Sequence, residues 1–286
     1  MRVMMNVAEC REAVRRMKTE FGAVGFVPTM GALHRGHESL IEAAARGNCA
    51  VVVSIFVNPT QFAPHEDLAA YPRPVETDLD ICRRHDVTGV FLPDAAMMYA
   101  PDAATVIRVN RLSEGLCGPH RPGHFEGVCT VVAKLFHIVP ADRAYFGEKD
   151  YQQLAVIRQM VRDLDIPIEI VPCPTVREPD GLAMSSRNVF LSPEDRKRSL
   201  AISAALFEAQ RAVASGEIRA ERLLVAARAR LEAAGIRDVD YVEIVDSITL
   251  EPVSTVRNNA RMCIAARVGR TRLIDNVPLD ASKTPR

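Results

Sequence analysis

Residues 50–57 read AVVVSIFV, an apolar run broken only by Ser54 and rich in β-branched side chains. A run this short with no polar alternation is a strand covered on both faces, as in a parallel sheet. Its neighbours repeat the theme. Upstream, the pattern predicts a helix over Met5–Phe21, a short strand at Gly25–Pro28 and a helix over Gly36–Arg46. Downstream it predicts helices over Pro74–His85, Gly127–Val139 and Tyr151–Leu164. Strands are expected at Val87–Leu92, Thr105–Val109, Ala144–Gly147 and Ile166–Val171. Strands alternating with helices imply βαβ units, a parallel sheet and an α/β fold. Such sheets bind ligands beyond the carboxyl ends of their strands, so the chemistry is expected in the loops that follow them.

Past Arg177 the texture changes. Pro193–Ala214 and Ala220–Ala234 are long Ala/Arg/Leu-rich helical patterns, followed by strand-like Asp240–Val245, Met262–Val268 and Arg272–Ile274. This predicts a smaller α+β domain over residues 177–286 after a larger α/β domain over residues 1–176. The tail beyond Leu279 is expected to fray.

Composition narrows the function. The 286 residues carry 36 Lys plus Arg and 36 Asp plus Glu, a net charge of zero, with 48% apolar side chains. A nucleic-acid binder would show a basic excess, and a disordered chain a large net charge. No apolar stretch is long enough to span a bilayer, and the N-terminus mixes charge with apolar residues unlike a secretory signal. Seven cysteines, an odd number with no CxxC, argue against a disulfide framework and fit a cytoplasmic protein.

Neither GxGxxG nor GxxxxGK[ST] occurs, so phosphate must be handled by other means. The strongest candidate is PTMGALHRGHESL, residues 28–40, between a strand and a helix. Gly31 and Gly36 allow close backbone approach, and a helix start offers free N–H groups to an anion. His34 and His37, three residues apart, can donate to phosphate oxygens whose charge changes during substitution. The competing reading is a capped turn with two exposed histidines. AMSSRN, residues 183–188, places two hydroxyls beside a guanidinium, an oxyanion set that any polar loop can also show. In YFGEKDYQQL, residues 145–154, Lys149 can meet a phosphate and Asp150 a sugar hydroxyl, or both can be a solvated first turn. In FVNPTQF, residues 56–62, the carboxamides of Asn58 and Gln61 can fix a small polar substrate, or Asn-Pro can merely open a turn. Cys117, His120, His124 and Cys129 approach zinc spacing, but Pro119, Pro122 and Gly123 break the geometry and Cys129 falls on an apolar helix face. No metal-ligand set is therefore assigned to the chain, and the segment reads better as a loop presenting Arg121 to an anion, with a plain surface position for Arg121 the competing reading.

Together these blocks resemble the pantothenate synthetase family, ATP-dependent ligases of the HxGH nucleotidyltransferase superfamily. PTMGALHRGH, FVNPTQF, YPR, RPGHF, FGEKDYQQL and DGLAMSSRN stand in that family's order, with AMSSR in place of a KMSKS-type loop. The resemblance implies a Rossmann-like nucleotidyltransferase domain with a smaller C-terminal lid domain, and a homodimer. It implies condensation of pantoate with β-alanine through pantoyl adenylate, with ATP as substrate and Mg²⁺ alongside it. His34, His37, Lys149, Ser185, Ser186 and Arg187 would carry the catalytic charge stabilisation. ATP would meet Met30, His37, Gly147, Lys149, Asp150, Val176, Met184, Ser185, Ser186 and Arg187. Pantoate would meet Met30, Asn58, Gln61 and Gln153. Tyr71 and Arg121 lie in matching blocks without an assigned role. Thr60 stands where many relatives are expected to have Met, and Ala63–Asp67 differs from the loops expected to gate the site. Another HxGH nucleotidyltransferase, a nucleotide-sensing module and a fragment of a class I aminoacyl-tRNA synthetase are the rivals. The FVNPTQF and FGEKDYQQ pair, the intact donor set, and the neutral charge with no anticodon-binding region respectively count against them.

Overall fold

The computed structural model of the protein describes residues 1–283 apart from Pro64, His65 and Asp67. The segment Ala63–Asp67 read as a gate, and the last residues of the tail, therefore lie in part outside the described residues. The chain divides into two compact units. The first comprises Met1–Asn110, Arg121–Glu148 and Gln153–Pro174. The second comprises Arg111–His120, Lys149–Gln152 and the chain from Thr175 on.

The first unit is built on a six-stranded parallel sheet. Its strands are β1 (Arg2–Met4), β2 (Val24–Thr29), β3 (Ala50–Ile55), β4 (Gly89–Phe91), β5 (Arg143–Gly147) and β6 (Glu169–Cys173), in the order β1-β4-β3-β2-β5-β6. β3, the expected doubly covered strand, is buried at every residue. Helices α1 (Val7–Phe21), α2 (Arg35–Gly47), α3 (Val75–Arg84), α4 (Ala95–Met98), α5 (His124–Ile138) and α6 (Tyr151–Asp163) connect the strands. Ile41 and Ala44 of α2 and Leu79 and Cys82 of α3 pack with Val27, Val53 and Val90 in one apolar core. Two differences from the sequence reading have local causes. β1 is three residues long, too short for any periodicity, and is made by parallel pairing with β4. Thr105–Val109 forms no strand: the Ile107 N–H donates to the Thr130 hydroxyl of α5 at 3.0 Å rather than to a strand neighbour.

The second unit holds an antiparallel sheet in the order β7 (Val239–Asp246), β8 (Ala260–Val268), β9 (Thr271–Leu279). Helices α7 (Pro193–Ala214) and α8 (Ala220–Ala233) supply Ile202, Leu206, Leu223 and Leu231 to a core shared with Met262, Ile264, Leu273 and Val277. Strand alternation sends Arg261, Cys263 and Asn276 to the opposite face. There the Tyr241 hydroxyl lies 3.1 Å from Cys117 Sγ, and Arg261 stacks 3.7 Å from the centroid of the Tyr151 ring. Among the described residues no helix is long and apolar enough to cross a membrane.

Candidate active site

In the first unit the expected loops follow adjacent strands. β2 pairs in register with β3, Thr29 opposite Ile55, and the Phe56 N–H donates to the Thr29 carbonyl at 3.1 Å. The loops carrying Met30 and Asn58 thus leave the sheet side by side, at its carboxyl edge. His34 caps α2, its Nδ1 accepting from the Gly36 N–H at 3.1 Å. His37 answers: its Nδ1 accepts from the His34 N–H at 3.3 Å, with the rings 4.2 Å apart. Each Nδ1 is therefore an acceptor, so in the neutral rings the proton sits on Nε2 and makes that edge a donor. The capped turn is thus present, and it fixes the tautomers of both rings.

The approach to His34 is tightly held. Gly31 and Ala32 have φ of 81° and 50°, in the left-handed region. A Cβ on Gly31 would sit 3.0 Å from Asp78 Oδ2. Asp78, buried on α3, accepts from the Ala32 N–H at 2.9 Å and the Leu33 N–H at 2.7 Å. Burial raises its carboxyl above its ordinary value, and the two N–H groups oppose that shift.

Asn58 and Gln61 are both buried and oriented. Asn58 Nδ2 donates to Gln61 Oε1 at 3.1 Å and to the Gly127 carbonyl at 3.2 Å. Asn58 Oδ1 accepts from the Tyr99 hydroxyl at 2.8 Å and the Thr60 hydroxyl at 3.0 Å. With Oε1 so engaged, Gln61 turns its Nε2 toward Met30, 2.9 Å from Sδ. A thioether is a weak acceptor, so this amide is oriented as a donor toward a weak partner. Gly127 cannot carry a side chain here, because a Cβ would run into the Thr60 carbonyl.

Arg121 does face an anion, and the anion is Glu66. The guanidinium reaches the two carboxylate oxygens at 2.6 and 2.8 Å and lies 2.8 Å from His124 Nε2. His124 Nδ1 in turn lies 2.9 Å from the Gln61 carbonyl. Tyr71 is buried edge-on against Phe62, ring centroids 5.9 Å apart. Gly147 ends β5, and a Cβ there would meet nothing within 4 Å. Gln153 is half-buried on α6, whereas its neighbour Gln152 spends its amide on the Cys117 N–H and the carbonyls of Leu112 and Gly115.

In the second unit Val176 and Met184 end a short ribbon, the Met184 N–H donating to the Val176 carbonyl at 3.0 Å. The ribbon carries Ser185, which caps the 3-10 turn Ser186–Phe190 by accepting from the Arg187 N–H at 3.2 Å. Lys149 and Asp150 lie on a separate 3-10 turn, Nζ 3.8 Å from Oδ2. Cys129 is buried in α5 with its thiol pushed up to about 12 by burial, and Cys117 engages Tyr241. Among the described residues no group of three or more His, Cys, Asp or Glu is placed to hold a metal.

Residues 2–278 match the pantoate-β-alanine ligase family. The chain belongs to that family. The ligase is 49% identical to pantothenate synthetase of Enterococcus faecalis, over 96% of this chain and 97% of that one. It superposes on crystal structures of pantothenate synthetase from Thermus thermophilus (TM-score 0.93, 47% identity, 98% of this chain and 100% of that one). It also superposes on pantoate-β-alanine ligase from Francisella tularensis, solved with a β,γ-ATP ligand and β-alanine (TM-score 0.81, 35% identity, 97% of each chain). The sequence patterns of this ligase assign no role to Asp78, Tyr99 or Gly127, and they raise His124 as a zinc ligand rather than as the partner of Arg121 and the Gln61 carbonyl. Asp78 did leave a signal: with Val75, Leu79 and Cys82 it occupies the i, i+3, i+4, i+7 stripe that faces the core.

Proposed function

We propose that the chain condenses (R)-pantoate with β-alanine at the expense of ATP, giving pantothenate, AMP and pyrophosphate. A pantoate carboxylate oxygen attacks the α-phosphorus, and pyrophosphate leaves. The uncharged amine of β-alanine then attacks the acyl carbon of pantoyl adenylate, AMP leaves and the amine proton passes to solvent. No covalent nucleophile is needed, so positioning and charge stabilisation are the protein's task. The observation that carries this reading is the His34–His37 cap, which fixes two Nε2–H donors at the start of α2. These donors are assigned to phosphate oxygens. Lys149, Ser185, Ser186 and Arg187 are assigned to the same chemical task from the second unit. Gly147, Asp150, Val176 and Met184 are assigned to the nucleoside. Asn58, Gln61, Met30 and Gln153 are assigned to pantoate, on the strength of the oriented Gln61 amide.

Mg²⁺ would travel with ATP on phosphate oxygens, neutralising their charge. Six buried thiols and no disulfide among the described residues support a reducing cytoplasmic setting. The family resemblance supports a homodimer, which sedimentation would read.

AMP should form only when pantoate, β-alanine and ATP are all present, and ATP–pyrophosphate exchange should require pantoate alone. Exchange driven instead by nicotinamide mononucleotide or phosphopantetheine would move the chain to another HxGH nucleotidyltransferase.

A further inference from the structure

Asp275 interrupts the core-facing positions of β9. Leu273, Val277 and Leu279 share its face and pack against α7 and α8, yet a carboxylate stands among them, 4% exposed. A buried charge is costly unless it is paired and hydrogen-bonded. Asp275 is both. Its oxygens take the Arg177 guanidinium as a fork, at 2.6 and 2.9 Å, and the Asn276 N–H at 2.8 Å. Arg177 opens the ribbon Val176–Met184: it donates to the Gly181 carbonyl at 3.1 Å, bridges to Ala183, and lies 4.8 Å above the Phe207 ring of α7. The next residue, Asn276, points to the other face of the sheet. There its Nδ2 donates to the Lys149 carbonyl at 2.9 Å, while its Oδ1 accepts from Arg261.

We infer that the dipeptide Asp275–Asn276 is the positioning element for both nucleotide-facing segments of the second unit. Asp275 fixes the ribbon that ends in Met184–Arg187, and Asn276 fixes the turn that carries Lys149 and Asp150. Two segments more than twenty residues apart in the chain are set by one stretch of strand, one from each face. The assignment of those segments to ATP rests on the proposed function; the anchoring itself does not.

Three variants separate the prongs. Asn276→Asp keeps the acceptor for Arg261 and removes the donor to Lys149. Asp275→Asn removes the charge and half of the fork. Arg177→Lys keeps the charge and loses the planar fork, and it covers the case in which Asp275→Asn does not fold. Amide hydrogen exchange reads the anchoring with no substrate present. Asn276→Asp should loosen residues 148–152 and spare 176–184, while Asp275→Asn and Arg177→Lys should do the reverse. Steady-state kinetics read the consequence: KM for ATP should rise between roughly tenfold and 10²-fold, with KM for pantoate nearly unchanged. Uniform loosening, unchanged exchange, or equal rises in both KM values would overturn the inference. If the unaltered enzyme lacks pantoate-dependent exchange, the functional reading fails, while the hydrogen-exchange pattern still decides the anchoring.

Discussion

Each unit holds its candidate loop with a buried aspartate, but the two are used differently. Asp78 of α3 accepts two backbone N–H groups from the loop before His34. Asp275 of β9 accepts no loop backbone; it takes the side chain of Arg177 and through it the ribbon. In the first unit the loop is short, enters a helix directly and contains left-handed residues, so backbone groups are what need satisfying. In the second unit the loop is carried on a ribbon, and a long guanidinium bridges from ribbon to strand. The first arrangement fixes a backbone path into a helix; the second fixes the root of a segment and leaves its tip to its own cap at Ser185.

The largest effect should come at the end of the first arrangement. His37→Ala removes an oriented donor and the acceptor of the His34 N–H but keeps the N-cap side chain, so adenylation should fall by about 10²–10³ in kcat with only part of the cap's stability lost. His34→Ala should cost similar rate and also about 1 kcal/mol of stability, because the N-cap is lost. His34→Asn separates the two roles, restoring the cap and not the rate. Pantoate-dependent exchange beside urea unfolding measures both. Normal rates in both alanine variants would remove the histidines from the chemistry and leave only a capped helix.

Asp78→Ala tests the backbone arrangement next. It leaves the N–H groups of Ala32 and Leu33 without their acceptor, at about 1–3 kcal/mol of stability for each that stays buried and unmet. The loop should also loosen ahead of His34, lowering the adenylation rate while the Asn58–Gln61 pair stays in place. A variant with normal stability and rate would show that the left-handed turn is self-supporting and that the two aspartates are not comparable.

How much of this the sequence carried follows from the kind of contact. The sheet was legible because burial on both faces writes itself into AVVVSIFV, and strand–helix alternation gives the parallel order its logic. The strand ends, and with them His34, Asn58 and Gln61, came with the same pattern. Asp78 and Asp275 were legible only as exceptions, a charge inside an apolar stripe or on the core parity of a strand, and nothing local names their partners. Asp275 lies 98 residues from Arg177 and Asp78 lies 45 from Leu33. Pairing at that distance is set by tertiary packing. The same holds for β1, whose three residues become a strand only by meeting β4.

The smallest expected effect distinguishes a buried anchor from a more accessible one. Glu66 is also an aspartate-like anchor, bidentate on Arg121 in the first unit. Burial works to raise its carboxyl, yet the hydrogen bonds and charge of Arg121 win and hold it below 4.5, its ordinary value. A lowered folded value means that the contribution to stability is present above the unfolded value and is lost as pH falls through the folded one. Asp78 and Asp275 are shifted the other way, raised by burial, so their linkage runs in reverse: the proton-linked part of their contribution is present at low pH and is lost as pH rises through the folded value, while the hydrogen bonds they accept remain. Of the three anchors, then, only Glu66 makes the fold acid-sensitive. Glu66→Gln should lower stability at neutral pH by no more than about 1 kcal/mol. The difference between the two proteins should shrink as pH drops below 4.5. Urea unfolding across that range reads it. A gap that stays constant with pH would mean that Glu66 acts through its shape, and the contrast between the anchors would then reduce to packing rather than charge.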